Sequence, residues 1–145
     1  MSRVINPDSA GKERNHLTRS VVLSIRELMR QAEPGSLAQD QAAFIALALR
    51  AIFETIDVSV AAWEKRGYWV KADRFRMDWA WSEHLGSAME KAVLEDDWAS
   101  VAHLAVQIAE KLKSVQVPQR NRLGEPWVGA FKQLKERSQS MNPAR

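Results

Sequence analysis

Glu54 and Asp57 stand three residues apart, in the pattern E-x-x-D. On a helix that spacing puts both carboxylates on one face, where oxygen ligands can hold a hard divalent cation. If the chain turns back near Gly67, Asp78 falls level with Asp57 and could add a third carboxylate. Glu54, Asp57 and Asp78 around Mg²⁺ would make a nucleotide-binding or nucleotide-hydrolysing site. The competing reading is an ion-pair network. Arg50 lies one turn before Glu54, and Arg74 follows the turn, so each could neutralise one of these carboxylates. The network is the preferred expectation, with no metal and no cofactor, and Mg²⁺ is the alternative.

All-α nucleotide pyrophosphatases carry E-x-x-E on one helix and E-x-x-D on a later one. Glu54-x-x-Asp57 is similar to the second half, but Glu27 and Glu33 have no acidic partner three residues away. The likeness stops at those four residues, and no family is assigned. A di-iron helical site would need Glu-x-x-His twice on facing helices. Glu13-x-x-His16 is the one such spacing, and His84 and His103 lack a carboxylate at that offset. Cysteine is absent, which removes disulfides, thiolate catalysis and Cys-ligated metals. No G-x-S-x-G and no phosphate-binding glycine loop occurs.

Tryptophan is the most unusual feature. Of six, four fall between residues 63 and 81, namely Trp63, Trp69, Trp79 and Trp81, with Tyr68 and Phe75 among them. Lys65, Arg66, Lys71, Arg74 and Arg76 are interleaved. Tyr, Trp and Arg dominate interaction hot spots, and cations over aromatic faces suit anionic or planar ligands. The plainer alternative is that Trp63, Phe75, Trp79 and Trp127 cap a core.

The elements that must hold these residues read as helices. Leu17, Val21, Ile25 and Leu28 recur at helical spacing and predict a helix over about 9–32, capped by Asp8 or Ser9 and ended by Glu33-Pro34-Gly35. Ser36 and Gln39 suggest a capping box for a second helix over 37–66. That helix is apolar around most of its circumference, so it should be central. Its one polar stripe runs through Arg50, Glu54, Asp57 and Glu64. Gly67 supplies its C-terminal stop. Ala72, Phe75, Trp79, Ser82, Gly86, Met89 and Val93 form the seam of a third helix over 70–94, with a small-residue notch at Ser82 and Gly86. Asp96 or Asp97 caps a fourth over 97–115. Pro126 opens a short fifth over 126–137, and residues 138–145 form a frayed tail. The expected fold is all-α: an antiparallel up-down four-helix bundle with the short helix packed across it, in a single domain spanning residues 1–137.

In that topology the second helix ends and the third begins at one pole. The first helix starts there and the fourth ends there. Trp63, Arg66, Tyr68, Trp69, Lys71, Arg74, Trp81, Arg120, Arg122 and Trp127 are then the candidate binding residues, with Lys12 and Arg14 beside them. The charge pattern agrees: residues 1–36 carry six Lys/Arg against four Asp/Glu, residues 37–115 nine against twelve, and residues 116–145 six against two. No signal-peptide pattern or membrane span is read, so a cytoplasmic location is expected. The expected function is a non-enzymatic protein-interaction or regulatory adaptor that binds a protein partner, or itself as a dimer, through this end or through an exposed side at Trp81. A nucleic-acid accessory role, resting on the basic ends and stacking groups, is the weaker alternative.

Overall fold

In the computed structural model, which describes residues 7–140 and the side chains of 9–140, five helices follow one another: α1 Pro7–Leu28, α2 Ser36–Lys65, α3 Trp69–Leu94, α4 Trp98–Lys111 and α5 Ala130–Ser140. No strand occurs among the described residues. No helix is long and apolar enough to cross a membrane. Asp8 and Ser9, the expected caps, already lie inside α1, and the part of the expected tail beyond Ser140 lies outside the described residues.

The hub is α2. Ala42, Ala43, Ile45, Ala46, Ala48, Leu49 and Ile52 are all buried, covering most of its first half. Alanines on several faces let α1, α3 and α5 approach the same helix, and these are its packing partners. The α2–α3 pair is antiparallel with a constant register. Leu49 lies beside Gly86, Arg50 donates to the Ser87 hydroxyl at 2.9 Å, and Trp63 meets Phe75 at a centroid distance of 4.9 Å. The α1–α2 pair is antiparallel as well: Arg14 reaches Thr55 and Ser59, while Leu28 and Ala38 meet at the far end.

The turns carry the local chemistry that sets these directions. After α2, Tyr68 N–H donates to Trp63 O and Gly67 N–H to Glu64 O, with Gly67 at φ 81°. This is a Schellman stop, and glycine takes its left-handed position without a steric penalty. The α3–α4 turn repeats the bond pattern, with Asp96 in the left-handed position at φ 58°. Asp97 then caps α4. Its carboxylate accepts from Ser100 N–H at 3.2 Å and from the Ser100 hydroxyl at 2.7 Å, and those bonds hold its pKa below the usual aspartate range. The capping box expected at Ser36 and Gln39 does not form. Ser36 is already helical, Gly35 is the cap residue and no side chain caps the helix.

Two boundaries differ from expectation in ways that matter. The fourth helix stops at Lys111 rather than near Val115, and the chain then leaves the α3 side. Arg26 on α1 takes hold of it, donating to Val117 O at 2.8 Å and Pro118 O at 3.4 Å. The last helix begins at Ala130 rather than Pro126, because Gly129 turns left-handed at φ 78° between them. Its start is capped from another element: Phe131 N–H donates to Asp40 Oδ1 at 3.0 Å. Further along α5, Arg137 and Arg50 converge on one oxygen of Glu90, at 2.8 and 3.2 Å. That three-member ion cluster ties α5, α2 and α3 together.

Gly86 marks the closest approach of α2 and α3. A Cβ there would sit 3.1 Å from Leu49 Cβ, an atom fixed to the α2 backbone. Gly86→Val should therefore lower stability by about 1–3 kcal/mol, read as a reduced urea midpoint with an unchanged slope. Gly11→Ala, whose added methyl meets only the tip of Arg14 at 3.8 Å, should raise the midpoint by up to about 1 kcal/mol.

Candidate functional site

The Gly67 end brings an aromatic row together. Trp63 meets Phe75 edge-on, Phe75 lies 6.3 Å from Trp79, and Trp79 stacks on Trp81 at 5.7 Å. Trp63, Phe75 and Trp79 pack against Ile56, Val60 and Ala72. These rings are half-buried and close the core where the fourth helix does not reach. Trp81, expected to stand exposed, is half-buried against the core instead.

Cations lie on this row. Lys71 Nζ is 4.4 Å from the Trp63 ring centroid, and the Arg14 guanidinium is 4.9 Å from that of Phe75. Arg14 reaches across from α1 and donates to Thr55 O, Thr55 Oγ1 and Ser59 Oγ at 3.2–3.4 Å. Burial lowers its pKa, and no carboxylate among the described residues pairs with it. Beside Phe75 an open cleft of about 430 Å³ is lined by Trp63, Val70, Lys71, Arg74, Phe75 and Asp78.

The outer rim of this end is apolar. Tyr68, Trp69, Val70 and Met77 are 54, 59, 74 and 77% exposed. Arg66 and Arg74 are exposed among them. Trp63, Arg66, Tyr68, Trp69, Lys71 and Arg74 thus share one end of the molecule, as expected from the sequence. Val70 and Met77 were not singled out. They lie off the core seam, and with Arg74 and Trp81 they repeat at steps of four, three and four, so the pattern is in the sequence. That α4 leaves them bare is not.

Three expected members lie elsewhere. Trp127 is buried, at 5% exposure, against Leu23 and Val117, with Val22, Phe44 and Leu123 around it. It is a core residue about 14 Å along α1 from Arg14. Arg120 and Arg122 are exposed, but on the loop that Arg26 holds near the other end of α1. The expected convergence assumed a full-length fourth helix. Because α4 stops at Lys111, the chain leaves before reaching the Gly67 end.

The carboxylates also separate. Asp57 feels Arg76 and Glu83, whereas Asp78 lies at the cleft with Lys71 and Arg74. Residues 76 and 78 are two apart on α3 and so face different sides. Arg50 goes to Glu90 rather than Glu54. Arg74 makes no ion pair among the described residues, and Arg76 is the cation that bridges Glu64 and Asp73. Glu54 is exposed. No group of three or more His, Cys, Asp or Glu among the described residues could hold a metal.

Compared with protein-family models, with curated proteins and with solved structures, the chain matches none.

Two substitutions test the electrostatics. Arg14→Met keeps most of the apolar stem but removes the charged hydrogen bonds, so a loss of about 1.5–3 kcal/mol is expected in thermal or urea unfolding. Arg14→Lys should not restore it, because an ammonium lacks the planar fork. Partial burial raises the Asp57 carboxyl above the ordinary range; Arg76 opposes the shift and Glu83 adds to it. The folded state thus holds this proton to higher pH than the unfolded chain, and stability falls as pH rises through that window. Asp57→Asn should modestly stabilise the protein at neutral pH, and the gain should vanish below about pH 4, where aspartate is protonated in both states.

Proposed function

We propose that the chain is a helical protein-interaction or regulatory adaptor, not an enzyme, and that it engages its partner through the Gly67 end. We read its architecture as an antiparallel up-down four-helix bundle with a short fourth member and α5 packed against α2. The observation that carries the functional reading is the exposure of Tyr68, Trp69, Val70 and Met77 on one continuous stretch of chain. Large apolar side chains gathered at one place and rimmed by cations mark interaction surfaces. The separation of Asp78 from Glu54 and Asp57 leaves the cation-dependent alternative without a converged ligand set among the described residues.

Site-specific photo-crosslinking in the native cell tests this. A photoreactive residue in place of Trp69 or Met77 should give a discrete adduct. The same residue in place of Glu110, exposed on α4, should give none. Absence of any adduct at 69 and 77 overturns the reading.

A further inference from the structure

The open apolar side of α3 has a specific cause. Ala88 and Ala92 line a groove shared with Ser100, His103 and Leu104, so α4 covers that side of α3 near its C-terminal end. Only 14 residues long, α4 spans about 21 Å, against about 39 Å for the 26 residues of α3. Its cover therefore runs out near Trp81. Val70, Arg74 and Met77, on the same side, have no helix above them among the described residues.

We infer that a second copy of this chain occupies this side, its α3 crossing the first α3 in the opposite direction at Met77. The inference rests on the interaction reading above and names the partner. Two properties of the surface support it. The first is charge. On this side Arg74 precedes Met77 and Asp78 follows it, whereas Arg76 turns to Glu64 and Asp73, and Glu90 to Arg50 and Arg137. A side that carries a cation before Met77 and a carboxylate after it complements itself only when antiparallel. A two-fold axis at Met77 brings Arg74 of each copy toward Asp78 of the other, and neither of these residues has an ion-pair partner within its own chain among the described residues. Isologous interfaces require such self-complementarity.

The second property is exposed apolar surface. Val70 and Met77 are 74 and 77% exposed, and half-buried Trp81 continues the same side one turn on. An apolar centre rimmed by charged groups is the anatomy of a protein interface.

Sedimentation velocity and light scattering across low-micromolar to sub-millimolar concentration test the assignment on the intact chain. The wild type should show twice the monomer mass. Met77→Glu sets two carboxylates against each other at the axis, so it should weaken dimerisation about tenfold or more while the monomer keeps its helical content by circular dichroism, since Met77 is solvent-exposed within one copy. Arg74→Asp and Asp78→Arg should each be monomeric, because each places like charges in opposition. Mixed, they should associate as a heterodimer, since every facing pair is then opposite in sign. A monomeric wild type, a dimer untouched by Met77→Glu, or a mixture that stays monomeric each overturns the assignment. A monomeric wild type that still crosslinks a different polypeptide at position 77 removes the second copy and leaves the interaction reading standing; with no adduct at all, both fall.

Discussion

The close approach of α2 and α3 at Gly86 is the constraint on which the other placements depend. With no side chain there, Leu49 and the backbone at Ala46 come against α3. That contact sets the axial register of the pair, and the register decides who meets whom on either side of it. Toward one end, Arg50 reaches Ser87 and Glu90. Toward the other, Trp63 falls on Phe75 and Arg76 on Glu64. A shift of one helical turn would break all of these pairings at once. The register is held at the far end by the Schellman stop at Gly67, which leaves little slack between the helices.

Helix lengths then decide which parts of that pair are covered. On α2, the fifth helix shields the first half only, from Asp40 to Arg50. Beyond it the polar stripe at Glu54 and Asp57 faces solvent. On α3, the fourth helix shields the C-terminal half only. The row Trp63, Phe75, Trp79 and Trp81 closes the core at the level that α4 does not reach, and Arg14 inserts its stem and guanidinium among Phe75, Thr55 and Ser59. A half-buried guanidinium bonded to hydroxyls and set over a ring face keeps partners for its donors without a carboxylate. The same shortfall that half-buries these rings leaves Val70 and Met77 in water.

The loop between α4 and α5 illustrates how a few polar contacts redirect a chain. Arg26 accepts nothing and donates twice, to the carbonyls of Val117 and Pro118. Those carbonyls belong to a segment without helical bonds of its own, so they need donors from outside it. Trp127 enters the space between Leu23 and Val117, and Asp40 receives the N–H of Phe131. The three hydrogen bonds link residues some ninety positions apart in sequence.

The all-helical class, the central position of α2, the Gly67 stop, the Asp97 cap and the notch at Ser82 and Gly86 were legible in the sequence. They rest on local rules: 3.6-residue periodicity, left-handed glycine and side-chain caps act between neighbours along the chain. The shared location of Trp63, Arg66, Tyr68, Trp69, Lys71 and Arg74 was legible too, because one turn joins them. Tertiary structure decided what depends on distant partners. It stopped α4 at Lys111, buried Trp127, carried Arg120 and Arg122 away, paired Arg50 with Glu90 instead of Glu54, and set Asp57 and Asp78 on different sides of α3. No local pattern encodes where a neighbouring helix ends, and that length leaves Val70 and Met77 at the surface while Trp81, on the same side, is partly core.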